Sequence, residues 1–151
     1  MIEVPAGPAL RIEHLVLDLN GTLSDRGRLI PGVGERIARL ATDLSLHLLT
    51  ADTFGTARAL AEELGISVAT IESGQDKAAV VADLGPDATV AIGNGRNDAA
   101  MLRAARLGIA VIGPEGAARD AITAADVVCR SITDALDLLL DDRLLIATLR
   151  P

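Results

Sequence analysis

The 151-residue sequence predicts an α/β fold built around a parallel sheet. Short apolar runs of strand length alternate with segments whose apolar residues have helical spacing, which is typical of a sheet with helices on both faces. Half of the residues are hydrophobic but only Phe54 is aromatic, and small aliphatic residues are the usual content of buried parallel strands. These observations favour a three-layer, doubly wound, Rossmann-like sheet, which we expect to form a single domain over residues 1–151.

The first half of the chain contains three predicted strands. These apolar runs, bounded by polar or glycine-containing turns, lie at residues 11–18, 44–49 and 66–71. The apolar spacing of residues 35–40 predicts a helix, and the polar segment 21–30 predicts a small hairpin. A second helix ends at Gly65, because glycine accepts the left-handed backbone of a helix C-terminus. Asp52 or Thr53 can cap the start of that helix.

The second half of the chain continues the alternation. Its strands are predicted at residues 89–92, 107–112 and 127–129. Its helices are predicted at residues 76–84, 97–105, 117–124 and 131–140. Residues 1–10 form a lead-in with a candidate edge strand at 2–4, and residues 141–151 are expected to be a C-terminal tail.

Asp18 stands at the end of the first strand and precedes a Gly-Thr turn. Ligands of open α/β sheets bind just outside the carboxyl ends of the strands, so a carboxylate there is placed as a nucleophile or metal ligand. Residues 18–23, Asp-Leu-Asn-Gly-Thr-Leu, resemble motif I (DxDGT) of the haloacid dehalogenase-like (HAD) phosphohydrolases. The resemblance implies that Asp18 is the nucleophile and that Leu19 and Asn20 bind the substrate. A turn-forming aspartate is the alternative.

Thr50 and Lys77 extend the resemblance. Thr50 ends the second strand and is similar to the motif II hydroxyl that donates to the phosphoryl group, and Ala51 follows it. Lys77 is the only lysine and lies near a predicted helix start, where a cation is unfavourable unless it serves a nearby anion. It is similar to the motif III lysine that pairs with the nucleophile, and the resemblance implies that all three residues bind the substrate. A helix-cap hydroxyl and a solvated surface lysine are the alternatives.

Residues 93–98, Gly-Asn-Gly-Arg-Asn-Asp, resemble motif IV (GDGxND). The glycines permit close approach of the backbone, and oxygen side chains suit a hard cation such as Mg²⁺. By this resemblance Asn97 binds the substrate. The implied ligands of Mg²⁺ are Asp18, the carbonyl of Asn20, Asn94 and Asp98. An Asn-Gly turn followed by an N-capping aspartate is the alternative.

Three segments are similar to the phosphorylation domain of P-type ATPases, which belongs to the same superfamily. Residues 49–57 look like its TGDNxxTA-type segment, with Ala51 for Gly and Thr53 for Asn. Residues 98–111 look like the segment that continues from motif IV, and residues 124–128 look like a further part of the same domain. Leu19 stands where those ATPases carry a lysine, and the chain has no nucleotide-binding insertion. The gaps between the motifs are also too short for a second domain. We therefore expect a HAD-like core without a cap domain, no ion pumping, and at most weak ATPase-like activity.

Asn20 and Asn94 depart from the HAD pattern. The phosphatases of the family have an aspartate at the position of Asn20, which exchanges protons with the leaving group and with water, and an amide cannot do this near neutral pH. Asn94 replaces an aspartate that contacts Mg²⁺, so one negative charge is lost. We expect a Mg²⁺-dependent phosphohydrolase that works slowly through an aspartyl-phosphate on Asp18. A catalytically weak phosphate-binding, metal-binding or regulatory protein is the alternative.

The composition limits the partners. The net charge is −7 with 14 Lys and Arg, which argues against a basic face for nucleic acid. No apolar run is long enough to span a membrane, and a lone cysteine, Cys129, makes the cytoplasm the default compartment. The expected partner is a phosphorylated small molecule. Homo-oligomerisation stays open, because a site without a cap needs a substrate or neighbour to exclude water.

Overall fold

The protein is described by a computed structural model over residues 9–51 and 56–151. The strands of its main sheet are β1 (His14–Asp18), β4 (Ser45–Thr50), β5 (Ser67–Thr70), β6 (Thr89–Gly93), β7 (Leu107–Val111) and β8 (Val127–Cys129). The short strands β2 (Ser24–Asp25) and β3 (Arg28–Leu29) form an antiparallel hairpin beside that sheet. All pairings in the main sheet are parallel, in the order β5-β4-β1-β6-β7-β8.

Helices cover both faces of this sheet. They are α1 (Val33–Leu40), α2 (Ala57–Leu64), α3 (Gly74–Leu84), α4 (Ala99–Ala104), α5 (Arg119–Ala124), α6 (Ile132–Leu140) and α7 (Asp142–Leu149). Alternate residues of β1 enter two separate cores: Leu15 and Leu17 pack with α1, α2, α6 and α7, whereas Val16 packs with α3, α4 and α5. The predicted three-layer, doubly wound α/β fold is therefore confirmed, and no cap domain is inserted in the part of the chain that is described. Within that part, no helix combines the length and apolar character that crossing a bilayer requires.

The register of the sheet brings several strand ends to one edge. Asp18 pairs with Leu49, the residue before Thr50, and Leu17 pairs with Ile92, the residue before Gly93. The chain leaves β1 toward β4 and β5 and then returns to the other side of β1 with β6. A reversal of this kind opens a crevice outside the carboxyl ends of the strands, here between β1 and β6.

The predicted elements differ from the observed ones mainly at their ends. The first strand begins at His14 rather than at residue 11, and the helix predicted from residue 97 opens as a single 3₁₀ turn (Arg96–Asp98) before α4. Gly65 ends α2 with the expected left-handed backbone at φ 67°. The proposed caps Asp52 and Thr53 and the candidate edge strand at 2–4 lie outside the described residues.

Most of the segment predicted as a C-terminal tail, residues 141–151, forms helix α7 (Asp142–Leu149). The Asp141 carboxylate accepts a hydrogen bond from the backbone N–H of Arg143 at 3.1 Å and so caps the helix. Leu145 is fully buried and joins the larger core, with Leu149 packed against it. These leucines form an apolar face that packs α7 against the larger core and stabilises the helix.

Replacing Leu145 by alanine should lower the free energy of unfolding by about 2–5 kcal/mol, because a buried leucine leaves a cavity. Leu144, its exposed neighbour on the same helix, provides the matched control, and Leu144→Ala should change that free energy by no more than about 0.5 kcal/mol. Urea denaturation of the two variants measures both values. Equal effects would mean that α7 does not dock through Leu145.

Candidate active site

Three buried charged side chains meet at the carboxyl edge of β1 and β6. The ammonium of Lys77 donates to Asp18 Oδ1 at 2.9 Å and to Asp98 Oδ1 at 2.7 Å. Lys77 is 1% exposed, Asp98 0% and Asp18 7%. The structure therefore brings together three predicted site residues that lie far apart in the sequence, and it buries the only lysine between two carboxylates.

The start of α3 places Lys77 in this position. Ser73 and Asp76 form a reciprocal capping box, in which each side chain accepts a hydrogen bond from the other residue's backbone N–H at 3.2 Å. Gly74 lies so close to the loop after β6 that a Cβ atom there would be 2.6 Å from the carbonyl oxygen of Asn97. The helix start is thus packed directly on the loop that carries Asp98, and the two carboxylates offset the unfavourable position of a cation at a helix N-terminus.

Asp98 is held by its own loop. Its Oδ2 accepts hydrogen bonds from the backbone N–H groups of Asn94 at 3.0 Å and of Gly95 at 2.8 Å. Gly93 must lack a side chain, because a Cβ atom there would lie 2.5 Å from Asp98 Cγ. Both carboxylate oxygens of Asp98 therefore have partners, and these contacts position the ammonium of Lys77. That Asp98 also binds a metal ion stays a prediction.

Thr22 connects the remaining oxygens of the site. Its hydroxyl lies 3.2 Å from Asp18 Oδ2 and 3.2 Å from Asn94 Oδ1, and it has one proton to donate. The orientation of the Asn94 amide is set by its other end, where Nδ2 donates to the carbonyl oxygen of Gly116 at 3.0 Å. A carboxylate oxygen and an amide oxygen therefore converge on one hydroxyl group.

The charges of the site shift the pKa values of its groups. Burial and the neighbouring Asp98 carboxylate raise the pKa of Asp18 to about 7, although Lys77 acts in the opposite direction. For Lys77, burial lowers the pKa, but the carboxylates of Asp18 and Asp98 together raise it above its usual value. The Lys77 ammonium thus stays charged at neutral pH. Without a divalent cation in the site, the carboxyl group of Asp18 is partly protonated and partly ionised at neutral pH.

The other predicted site residues lie around this cluster with differing exposure. The side chain of Leu19 belongs to the larger core, so only its backbone can contact a ligand. Asn20 follows it, and its Oδ1 atom is buried with no hydrogen-bond partner among the described residues. Thr50 is buried at the end of β4, beside β1, whereas Ala51 and Asn97 are exposed.

The donor atoms of the site fit a hard divalent cation. The described residues contain no cluster of three or more His, Cys, Asp and Glu that could hold a metal, so a cation would rely on few charged ligands. Asp18 Oδ2 and Asn94 Oδ1 converge on the Thr22 hydroxyl. Asn20, two residues after Asp18, has a buried Oδ1 with no hydrogen-bond partner among the described residues. Mg²⁺ is typically bound in this way, by one or two carboxylates with neutral oxygens and water.

Comparisons with known proteins show which family this chain resembles. Residues 71–135, which contain Lys77, Asn94 and Asp98, match the family model described as haloacid dehalogenase-like hydrolase. Over this segment the chain is similar to the HAD superfamily.

Two relatives illustrate the range of the similarity. An uncharacterised protein of Methanocaldococcus jannaschii is 54% identical over 61 residues, which is 40% of this chain and 66% of that protein. A Mycobacterium tuberculosis protein named "Probable cation-transporting ATPase G" is 41% identical over 96 residues, 62% of this chain but 12% of the ATPase. The chain thus spans about two thirds of one relative and a small part of the other.

A solved structure shows the same fold over almost the whole chain. The 3-deoxy-D-manno-octulosonate 8-phosphate phosphatase of Moraxella catarrhalis has a TM-score of 0.67 with 19% identity, and the match covers 93% of this chain and 95% of that one. That structure is a complex with magnesium, phosphate and the sugar acid. At this identity the similarity shows the HAD fold and no more.

Sequence reasoning missed three residues of the candidate site. Thr22 lies inside the motif I segment, and its position four residues after Asp18 was the available signal. Gly116, which accepts the hydrogen bond of Asn94, comes from the loop after β7 and had no signal in the sequence. Glu115 in the same loop packs on Gly21, where a Cβ atom would be 2.5 Å from its Oε2. This loop closes one side of the site.

The raised pKa of Asp18 predicts a pH dependence for the protein without divalent cations. Folded Asp18 holds its proton more tightly than an unfolded aspartate, whose pKa is near 3.8. Its contribution to the free energy of unfolding is therefore fully present below about pH 4 and is lost as the pH rises toward 7. Urea denaturation in EDTA measures the free energy of unfolding of wild type and of Asp18→Asn. The wild-type value minus the variant value should fall as the pH rises from about 4 to about 7. A difference that rises with pH would contradict the assignment.

Proposed function

We propose that this HAD-like protein is a Mg²⁺-dependent phosphohydrolase in which Asp18 is the nucleophile. The observation that carries the proposal is the buried Lys77, which holds one oxygen of Asp18 while the other oxygen faces Thr22 and Asn94. An ammonium shared by two buried carboxylates keeps the nucleophile oriented and is itself placed to meet phosphoryl oxygens. Structural ion pairs also occur in cores, but this one lies at the sheet edge where ligands of the fold bind.

The reaction divides into two displacements on phosphorus. A carboxylate oxygen of Asp18 forms a bond to phosphorus as the bond from phosphorus to the leaving-group oxygen breaks, and the leaving oxygen takes a proton from solvent. Water then attacks the aspartyl-phosphate, which releases phosphate and restores Asp18. Lys77 and the hydroxyl of Thr50 are the proposed donors to the phosphoryl oxygens in both steps.

Mg²⁺ is the proposed cofactor. Its proposed ligands are Asp18, Asn94, the carbonyl of Asn20 and Asp98, which also holds Lys77. When bound, the ion supplies positive charge to the phosphoryl group. The magnesium in the similar Moraxella catarrhalis structure supports this choice.

Slow turnover is part of the proposal. The amide of Asn20 cannot give a proton to the leaving group or take one from water, and no described carboxyl hydrogen-bonds to its buried Oδ1. The aspartyl-phosphate would therefore persist longer than in an enzyme with an aspartate at this position. The similarity to part of an ATPase supports a P-type-ATPase-like branch of the superfamily, with weak ATPase-like activity at most.

The substrate is proposed to be a phosphorylated small molecule, in agreement with the substrate named for the Moraxella catarrhalis phosphatase. Binding of nucleic acid is not expected, on the grounds of the acidic composition. Homo-oligomerisation and a cytoplasmic location also stay predictions.

The alternative function is a weak or regulatory domain that binds phosphate or metal without turnover. The hydrogen bond from the Asn94 amide to the carbonyl of Gly116 favours this alternative. It gives the amide a structural contact in the loop after β7, in a place where the phosphatases of the family have a metal-binding aspartate. The two functions share the site and differ in whether the aspartyl-phosphate is hydrolysed.

Phosphate release from a panel of phosphomonoesters and nucleotides should require both Mg²⁺ and Asp18. Asp18→Asn should reduce release to the uncatalysed background, because it removes the nucleophile. Incubation with Mg²⁺ and beryllofluoride, followed by mass and thermal-shift measurements, supplies a second readout. A beryllofluoride adduct that needs Asp18, without phosphate release from any substrate, would favour the regulatory function.

Replacing Asn20 by aspartate should raise the rate of phosphate release, because a carboxyl group restores proton exchange with the leaving group and water. General acid–base help is commonly about 10²–10⁴-fold, which sets the upper range of the gain. The double variant Asp18→Asn/Asn20→Asp is the control and should stay inactive. An unchanged rate in the single variant would show that Asn20 does not limit turnover.

A further inference from the structure

A groove with an apolar floor lies beside the proposed active site. It has a volume of about 570 Å³ and is bounded by the β2–β3 hairpin on one side and by the segments after β7 and β8 on the other. Its apolar wall includes Leu29, Ile112 and Ile132, and Ile112 is one of the large exposed hydrophobic residues of the chain. We call this feature the hairpin groove. None of the motifs in the sequence accounts for it.

One turn separates the hairpin groove from the proposed active site. Gly113 and Gly116 close this turn, with the N–H of Gly116 donating to the carbonyl of Gly113 at 2.9 Å. Gly113 lines the groove and also packs directly on the carbonyl oxygen of Gly21, and Gly116 accepts the hydrogen bond from Asn94. The same short segment is therefore a wall of the groove and a support of the site.

The groove is within reach of a molecule whose phosphoryl group lies at Asp18. Gly21 is three residues after Asp18, and a fully extended chain covers at most about 3.6 Å per residue. The contact between Gly21 and Gly113 is therefore no more than about 11 Å along the backbone from the nucleophile. The eight bonds from phosphorus to a carboxylate oxygen of a phosphorylated six-carbon hydroxy acid span about 10 Å when extended, which is a comparable distance.

Two arginines give the groove a positive charge in an otherwise acidic chain. Arg28 has no ion-pair partner within 4.0 Å among the residues that the structure describes, and the guanidinium of Arg130 is 3.8 Å from Asp134 while remaining almost fully exposed. Asp25 is the one carboxylate among the lining residues. Arginine binds carboxylates with a planar pair of N–H groups, so this pair is suited to an acidic group at the end of an apolar body.

We propose that the hairpin groove holds the leaving group of the substrate, and that this leaving group is an apolar segment that ends in a carboxylate. The inference rests on the proposed function, because the phosphoryl group of the same molecule must lie at Asp18. The substrate class is then a phosphomonoester of a hydroxy acid. The apolar wall contacts the body of the molecule, while Arg28 and Arg130 bind its acidic end.

Two matched esters test this substrate class. 6-(Phosphonooxy)hexanoate and hexyl phosphate share the phosphate and the six-carbon chain and differ in the terminal carboxylate. We expect kcat/KM to be about tenfold higher for the acidic ester, the size of effect that a charge-assisted hydrogen bond gives. Arg28→Gln and Arg130→Gln should each reduce this preference by severalfold with little change for hexyl phosphate. Arg103→Gln, an exposed arginine of α4 outside the groove, is the control and should leave the preference unchanged. Equal kcat/KM for the two esters, or a preference that survives both groove variants, would overturn the inference.

A binding measurement separates this inference from the proposed function. In Asp18→Asn, which cannot turn over, 6-(phosphonooxy)hexanoate should shift the amide NMR signals of Gly113 and Ile112, and Arg130→Gln should weaken the shift. Such shifts without hydrolysis in the wild type would support binding of the acidic ester in the groove and reject the hydrolase. Asp18-dependent hydrolysis with no shifts at these amides would reject the groove inference alone. Shifts that depend on protein concentration instead of ligand would assign the groove to a second copy of the chain and also reject the inference.

Discussion

The carboxyl edge of the sheet depends on one buried cation placed between two carboxylates. Without Lys77, Asp18 and Asp98 would be buried close together with no cation between them, and breaking a buried ion pair commonly costs about 3–5 kcal/mol. The contact also joins three separate parts of the chain: the end of β1, the start of α3 and the loop after β6. The position of Asp18, the proposed nucleophile, therefore depends on how α3 packs on that loop, where Gly74 meets the backbone of Asn97.

The two asparagines that depart from the HAD pattern are not equivalent. Asn94 is fixed by both ends of its amide, since Nδ2 donates to Gly116 and Oδ1 lies against the Thr22 hydroxyl. An aspartate there would place a carboxylate oxygen against the carbonyl of Gly116 with no proton between them, so the loop after β7 and the amide are matched to each other. Asn20 has no such partner for its Oδ1. Asn94 therefore makes contacts that hold the loop after β7, whereas the Oδ1 of Asn20 makes no such contact among the described residues.

Much of the fold follows from local patterns in the sequence. Buried strands such as β1 and β6 are continuous apolar runs, and each is followed by a polar residue at the ligand-binding edge, which is why Asp18 and Asn94 could be placed before the structure was known. Helix α7 could not be predicted in this way, because it is stabilised by the packing of Leu145 in the larger core, and that contact depends on the tertiary structure. The contact between Asn94 and Gly116 is likewise a long-range pairing, and no local pattern of the sequence encodes it.

The proposed reaction at Asp18 needs water to be excluded from the site. Among the described residues no cap domain is inserted between the motifs, and the Gly113–Gly116 turn lies against Gly21, three residues after Asp18. A leaving group that occupied the hairpin groove would cross this turn and cover the site with its own apolar body. The same contacts would then bind the substrate and exclude water. A small phosphomonoester that does not reach the groove would make neither kind of contact. Under this arrangement the apolar body of the bound substrate, held in the groove between the two arginines, would cover the site in the place of a cap domain.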